Sequence, residues 1–283
     1  MTQTDLKTPQ ADQLLGGILM KAIVYTQYGP PDVLQFKEVE RPTPKDNEVL
    51  VKVRAASVNA AELHLLRGKP FLMRLMGFGL LKPKNTILGA AMAGRVEAVG
   101  RNVKQLQPGQ KVLIHGAGGG VGTFAVQIAK SFGAEVTAVC STRNVDMLRS
   151  IGADHVIDYT QEDFTKNGQR YDFIFAVNGY HSIFDYKRAL SPKGVYVMIG
   201  GSNAHLFQAM LLGPLISMTG RQKMGSMGVA KPNQKDLVFM KELLEAGKVV
   251  SVIDRRYPLR ETAEAIRYLE KGHAQGKVVI TVA

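Results

Sequence analysis

A glycine-rich turn at residues 116–122 constrains the fold of this chain more than any other feature of the sequence. It lies between the strand-like run Lys111-Val-Leu-Ile-His115 and a helical run from Phe124 to Phe132. Ala117, Gly119 and Gly122 have the spacing of the dinucleotide-binding fingerprint, with alanine at its first position. Small residues let the backbone approach a diphosphate, and amides at a helix N-terminus attract the anion. An ordinary tight turn is the alternative, but the strand–turn–helix setting favours a cofactor-binding turn formed by Ala117, Gly118, Gly119, Gly120, Val121 and Gly122.

The chain after Pro108-Gly109 alternates between strand-length and helix-length runs. This alternation predicts a parallel sheet with helices on both faces, an α/β fold of the doubly wound Rossmann type. The apolar run Phe173-Ile-Phe-Ala-Val177 is typical of a strand buried on both sides. Predicted strands are 111–115, 135–140, 155–158, 172–177, 194–200, 223–229 and 277–282, and predicted helices are 124–132, 145–151, 182–190, 234–246 and 262–271.

Residues 20–107 contain short β-runs broken by glycine, proline and asparagine, such as 21–25, 48–53 and 94–100. Val49, Val51 and Val53 alternate along one of them, as a half-buried antiparallel sheet requires. The Met-rich apolar segment from Phe71 to Leu81 fits either a mobile lid over a pocket or buried packing.

Composition narrows the classes of function. The net charge of +12 comes from scattered Lys and Arg without any Trp, which favours a basic enzyme with an anionic cofactor over a nucleic-acid binder. The single cysteine, Cys140, excludes an internal disulfide and a multi-thiolate zinc site, and the histidines lack a helical i, i+4 pair, so no metal site is predicted.

No apolar run approaches the roughly 18 residues that cross a bilayer. Residues 1–19 lack the features of a secretory signal, and we expect a disordered leader and a cytoplasmic protein.

The end of the second predicted strand indicates which cofactor binds. Enzymes that use NAD place an acidic residue there, whereas here Ser141-Thr142-Arg143 follows the strand, with no acid before Asp146. Two hydroxyls and a guanidinium can bind a phosphate, so we predict NADP(H). The alternative is that Ser141 and Thr142 only cap the following helix. Tyr159, at the end of the third strand, could close the same pocket.

Two further turns follow strands at the same predicted edge of the sheet. Val177-Asn178-Gly179 ends one strand, and Gly200-Gly201-Ser202 follows the next. Both turns could let backbone approach the nicotinamide, and plain turns are the competing interpretation.

Together these residues resemble the zinc-independent medium-chain dehydrogenase/reductase family, in its quinone oxidoreductase-like branch. The resemblance runs from about residue 20 to residue 282. It implies a GroES-like β-barrel substrate domain at 20–107, a Rossmann NADP-binding domain at 108–247 and a segment at 248–283 that returns to complete the substrate domain. It also adds Lys277 to the cofactor-binding residues. The motifs that carry it are Met20-Lys-Ala-Ile-Val-Tyr25, Val58-Asn59, Gly94-Arg-Val-Glu-Ala-Val-Gly100, Gln107-Pro-Gly109, the glycine turn, Ile151-Gly-Ala-Asp-His-Val-Ile-Asp-Tyr159 and Gly276-Lys-Val-Val279.

The resemblance also implies a chemistry, hydride delivery from NADPH to an activated C=C of an enone or to a quinone. Zinc-dependent relatives have Cys where this chain has Asn59, and Gly-His-Glu where it has Gly89-Ala90-Ala91. Asn59 is our candidate catalytic residue, as a polar group near the nicotinamide. A turn-stabilising asparagine is the alternative.

The chain departs from the family pattern in three places. Glu62 and Ala91 stand where the family often has Asp, and Gln107-Pro-Gly109 runs directly into Lys111-Val-Leu-Ile-His115, where the family has further strands and a long helix. The third departure suggests an internal deletion that truncates the barrel. Strand partners would then come from elsewhere, for example from a strand-swapped homo-oligomer. Two hypotheses remain: an active NADPH-dependent enone or quinone reductase, or a catalytically weak or inactive NADP(H)-binding protein, with neither nucleic acid nor membrane as a partner.

Overall fold

The computed structural model describes residues 19–40, 53, 55–69, 71, 74–89, 91–93, 108–226 and 234–282. Contacts divide the chain into two compact units, one of residues 1–95, 257–270 and 280–283 and one of 96–256 and 271–279. The predicted return segment 248–283 is therefore shared between the units, and the predicted domain boundaries stay predictions. The leader up to residue 18, the motif at 94–100, Gln107 and most of the run 48–53 lie outside the described residues.

The second unit contains a six-stranded sheet in which all five neighbouring strand pairs are parallel. Its order is β10-β9-β8-β5-β6-β7. The strands are β5 (Lys111–His115), β6 (Glu135–Cys140), β7 (His155–Asp158), β8 (Tyr171–Ala176), β9 (Leu190–Met198) and β10 (Lys223–Ser226). The helices are α2 (Gly122–Ser131), α3 (Val145–Ser150), α4 (Ile183–Ala189), α5 (Asn203–Thr219) and α6 (Gln234–Glu245).

Alternating side chains along β5 divide the apolar core into two layers. Val112 and Ile114 pack in one cluster with Val126 of α2 and Leu148 of α3. Leu113, between them, packs in the other cluster with Tyr186 of α4 and other buried residues of α4 and α5. A strand whose successive side chains enter opposite cores is buried on both faces. The predicted doubly wound α/β fold is confirmed.

Two helices were not predicted from the sequence. The 17 residues of α5 are apolar on nearly all sides, so no helical period marks them, and Ser202 caps the helix by accepting from the backbone N–H of His205 at 3.2 Å. The helix α1 (Ala60–Arg67) lies in a region predicted as short β-runs. It ends at Gly68, which has a φ of +58°.

The described residues of the first unit form short sheets and two α-helices. β1 (Leu19–Val24) pairs antiparallel with β2 (Gln35–Glu40), and β3 (Ala55–Val58) pairs antiparallel with β4 (Ala91–Ala93). The strands β11 (Ile253–Pro258) and β12 (Lys277–Thr281) complete the order β11-β12-β3-β4, and each contains residues of both units. In this unit Arg67, at the end of α1, pairs with Glu270, at the end of α7 (Thr262–Glu270), its Nε lying 2.7 Å from Oε1.

The segment from Phe71 to Leu81 contains a π-helical turn, Arg74–Phe78. The apolar side chains that are described in this segment are largely solvent-exposed, Leu75 to 61% and Leu81 to 89%. The buried-packing alternative is therefore wrong for these side chains, and the lid remains a prediction.

Candidate functional site

Parallel strands bring the predicted turns of the second unit to one edge of the sheet. The backbone N–H groups of Gly116 and Ala117 donate to Val139 O, both at 3.1 Å, which joins the ends of β5 and β6. Val177 N donates to His115 O at 2.9 Å, and Gly179 N donates to Gly200 O at 3.2 Å, so the turns after β8 and β9 lie beside the glycine turn. In an open α/β sheet, ligands bind at this carboxyl edge. The binding roles of these residues stay predictions.

The glycines of the turn differ in what surrounds them. A Cβ on Gly122 would lie 2.4 Å from Gly116 O and 2.5 Å from Ala117 Cα, so only glycine allows α2 to pack this closely on the end of β5. A Cβ on Gly119 would meet only Gly116 O, at 3.8 Å, and would otherwise point into open space. Open space above Gly119 fits a diphosphate, because the backbone there can be approached closely.

The N-terminus of α2 offers hydrogen-bond donors to an anion. Among the residues that the structure describes, no acceptor pairs with the backbone N–H groups of Val121 and Gly122. These amides carry the partial positive charge of the helix terminus. The residues present therefore fit the diphosphate of a dinucleotide.

Lys277 lies beside this turn. Its Cδ is 2.9 Å from the position that a Cβ on Gly120 would take. The preceding residue, Gly276, donates its N–H to Gly118 O at 3.0 Å, which holds this part of the chain against the turn. A groove of about 360 Å³ opens there, lined by Gly120, Val121, Phe124, Ala125, Ile128 and Lys277.

The hydroxyls predicted to bind a phosphate are engaged within the protein. Ser141 Oγ accepts from Asn144 Nδ2 at 3.2 Å, and Thr142 Oγ1 lies 3.2 Å from Thr160 Oγ1. The Thr142 hydroxyl also bonds to the carboxylate of Asp158, and this is the main reason that the pKa of Asp158 lies below its usual value. Ser141 begins the 3₁₀ turn Thr142–Asn144 without a side-chain capping bond, so the capping alternative is wrong for that hydroxyl.

Arg143 is the remaining member of the predicted phosphate site. Its side chain is exposed, and Nη2 lies 3.3 Å from Nδ1 of His273, a residue that sequence reasoning missed. Tyr159 is 46% exposed, and its ring centroid lies 6.0 Å from that of Tyr180, in the loop after β8.

The turns after β8 and β9 approach each other so closely that one position requires glycine. Gly201 has a φ of +140°, and a Cβ there would lie 2.5 Å from Gly179 O. The approach brings Asn178-Gly179 and Gly201-Ser202 together as one backbone surface at the carboxyl edge.

A buried polar network lies beneath this surface, and no motif predicted it. Tyr186 OH is 2.7 Å from His115 Nδ1, and Tyr196 OH is 2.6 Å from His205 Nε2. Burial is the main cause that lowers the pKa of His115 to about 3, followed by the nearby His181 and His205. Burial raises the pKa of both tyrosines. At neutral pH all four rings are uncharged, which suits an apolar surrounding.

Asn59 lies in the first unit, immediately before α1. Its backbone N–H donates to Glu62 Oε2 at 2.9 Å, and its side-chain amide lies 3.3 Å from Ser57 O and 3.2 Å from Ser57 Oγ. These contacts stabilise the turn into the helix, as the alternative interpretation expects. The catalytic role of Asn59 stays a prediction.

Neither a metal cluster nor a membrane-crossing helix is found in the part of the chain that is described. No three His, Cys, Asp or Glu side chains there are grouped to hold a metal ion. No helix within the same residues combines the length and apolar character needed to cross a bilayer. The Cys140 thiol is buried, which is the main reason that its pKa is raised to about 11.

Comparisons with known proteins match nearly the whole chain. Residues 45–142 match the alcohol dehydrogenase GroES-like domain, and residues 151–280 match the zinc-binding dehydrogenase family. The chloroplast envelope quinone oxidoreductase homolog of Arabidopsis thaliana is 30% identical over 334 residues, covering 94% of this chain and 99% of the relative. The chloroplastic NADPH-dependent alkenal/one oxidoreductase of the same plant is 27% identical over 326 residues, covering 92% of this chain and 79% of that protein. The structure of the quinone oxidoreductase from Coxiella burnetii superposes with a TM-score of 0.73 at 24% identity, covering 94% of this chain and 100% of that one.

Proposed function

The chain belongs to the medium-chain dehydrogenase/reductase family, as a quinone oxidoreductase-like enzyme that uses a nicotinamide cofactor, and we propose that it transfers hydride from NADPH to an enone or a quinone. Family membership confirms the resemblance drawn from the sequence motifs and the GroES-like domain that it implied. The observation that carries the proposal is the glycine turn, where open space above Gly119 meets the amides of Val121 and Gly122.

Each part of the carboxyl edge has a role in this proposal. The amides of Val121 and Gly122 bind the diphosphate, and Lys277 adds a positive charge beside them. Arg143 holds the 2′-phosphate, because a guanidinium offers a fork of charged donors. The surface of Asn178-Gly179 and Gly201-Ser202 orients the nicotinamide, which supplies a hydride when bound.

The choice of NADPH over NADH is tested at Arg143. Replacing Arg143 with Ala removes the charged fork and leaves the diphosphate amides unchanged. We expect about a tenfold or larger loss of affinity for NADPH and little change for NADH, since a charge-assisted bond to phosphate is lost from only one cofactor. Titration of both cofactors measures this, and equal losses would remove the case for the phosphate site.

Asn59 is proposed as a polar group that contacts the nicotinamide side of the site, and the oxyanion that forms on the substrate needs a donor such as its amide. The proposed reaction uses no bound metal ion, because Asn59 stands where zinc-dependent relatives have a zinc-binding cysteine. A proton from solvent completes the reduction of the substrate.

A second candidate function is a catalytically weak or inactive NADP(H)-binding protein. The alignment with the Arabidopsis quinone oxidoreductase homolog spans 334 positions. It includes 94% of this 283-residue chain, which is about 266 residues. About 68 positions of the alignment therefore have no residue of this chain opposite them. The length difference supports the proposed internal deletion in the substrate domain. A shortened barrel could leave cofactor binding intact while removing part of the substrate site.

NADPH oxidation with a panel of quinones and α,β-unsaturated ketones separates the two functions. Turnover with any of these acceptors supports the reductase. Saturable NADPH binding without turnover supports the second candidate and contradicts the first. The proposal also includes a small enone or quinone as the partner, a homo-oligomer with exchanged strands and a cytoplasmic location. Light scattering of the purified protein tests the oligomer.

A further inference from the structure

A short segment of the second unit, residues 271–277, lies along the predicted cofactor edge. Gly276 donates its N–H to Gly118 O at 3.0 Å, and Gln275 Nε2 donates to Arg143 O at 2.9 Å and to Asn144 Oδ1 at 3.0 Å. The segment therefore contacts both the glycine turn and the loop after β6.

The other side of this segment is also anchored within the second unit. Gln275 N donates to Asp254 Oδ2 at 3.0 Å, and Lys277 N donates to Val252 O at 2.8 Å. Gly276 has a φ of +95°, and a Cβ there would lie 2.4 Å from Val252 O. Backbone bonds on both sides hold the segment at a defined position beside the loop that carries Arg143.

The contact between Arg143 and His273 places an imidazole beside the guanidinium. Arg143 Nη2 lies 3.3 Å from His273 Nδ1, and the ring has a second nitrogen, Nε2, that can also take part in a hydrogen bond. Both side chains are exposed and accessible to a ligand. The imidazole is thus a second nitrogen group that a ligand can reach near the guanidinium.

The hydroxyls of the loop after β6 have partners within the protein. The Thr142 hydroxyl bonds to Asp158, and Ser141 Oγ accepts from Asn144, which leaves the Ser141 O–H able to donate as well. Arg143 and His273 come from loops 130 residues apart in the chain, and together they can contact one phosphate from two sides.

We propose that His273 binds the 2′-phosphate of NADP(H) together with Arg143, and that it is a specificity-determining residue. This inference rests on the proposed function. A dianionic phosphate attracts the guanidinium more strongly than the imidazole does, so Arg143 turns its donor to the phosphate. The imidazole is then free to donate to another phosphate oxygen.

Titrations of the full-length protein with NADP⁺ and with NAD⁺ test the inference. We expect His273→Ala to weaken NADP⁺ about tenfold and NAD⁺ less than twofold, because one charge-assisted bond to the phosphate is lost. His273→Arg should keep the preference for NADP⁺, and His273→Glu should abolish it. A merely structural role would not follow the sign of the charge.

His155→Ala is the matched control. His155 is an exposed histidine in the same unit, paired with Glu135 at 3.1 Å at the start of β7, the opposite edge of the sheet. Its replacement should leave both affinities unchanged.

The outcomes distinguish this inference from the proposed cofactor choice. A wild-type protein that binds NAD⁺ as tightly as NADP⁺ would contradict the cofactor choice, and His273 would then have no phosphate to bind. A wild-type preference for NADP⁺ that survives His273→Ala and His273→Glu would overturn the role of His273 alone. Equal weakening of both cofactors by these variants would also overturn it, since the segment would then act only as structural support.

Discussion

Alanine substitutions at two glycines of the same turn should have different effects, one on cofactor affinity and the other on stability. Gly119→Ala places a methyl group in open space, where the only neighbour is Gly116 O at 3.8 Å. Gly122→Ala places it 2.4 Å from Gly116 O, 2.5 Å from Ala117 Cα and 2.6 Å from Ala117 O. Since these three atoms belong to the backbone, no rotamer change can relieve the contact.

The magnitudes follow from that geometry. Overpacking of this kind costs about 1–3 kcal/mol, and alanine in a helix recovers up to about 1 kcal/mol relative to glycine. We therefore expect Gly122→Ala to lower the free energy of unfolding by about 1–2 kcal/mol, or the melting temperature by roughly 2–8 °C. Gly119→Ala should change the stability by less than about 0.5 kcal/mol. Its methyl group would instead obstruct the diphosphate and weaken NADPH at least tenfold, which is about 1.4 kcal/mol.

Circular dichroism melts without cofactor and NADPH titrations measure the two effects separately. Stability lost only in Gly122→Ala and affinity lost in a fully stable Gly119→Ala would agree with the reasoning. Unchanged NADPH affinity in Gly119→Ala would refute the diphosphate site at this turn. A Gly122→Ala protein as stable as the wild type would refute the packing explanation.

Two further predictions concern stability. The pKa of His115 is lowered to about 3 in the folded protein, so its contribution to stability is complete above the unfolded value of 6.5 and declines as the pH falls from 6.5 towards 3. Between pH 6.5 and pH 5 the wild type should lose about 1.6 kcal/mol more than His115→Asn in urea unfolding, and parallel pH profiles would contradict this. Gln127 is buried and bonds through its amide to both Val250 N, at 2.8 Å, and Val250 O, at 2.9 Å. Gln127→Ala leaves both backbone groups without these partners and should cost about 2–4 kcal/mol, whereas the exposed Gln161→Ala should cost less than about 0.5 kcal/mol; similar losses in both would show that the bridge does not stabilise the fold.

Much of the fold could be predicted because its signals are local. The run from Lys111 to His115 and the glycines that follow predict a strand, a turn and a helix within about 20 residues. Alternating runs of this length predict a parallel sheet, and the sheet then implies that strand-end turns share one edge. The helix α5 escaped prediction because its side chains are apolar on nearly all sides, so no helical period distinguishes it from a buried strand.

The sequence by itself determined the class of fold, the glycine turn and the family, since periodicity, turn chemistry and motif spacing are written in neighbouring residues. Only the tertiary structure decided which side chains meet across long stretches of chain. It brought His273 to Arg143 and Tyr186 to His115, pairs separated by 130 and 71 residues. It also showed that the Thr142 hydroxyl is already bonded to Asp158. Such contacts depend on the path of the whole backbone, and no local pattern records them.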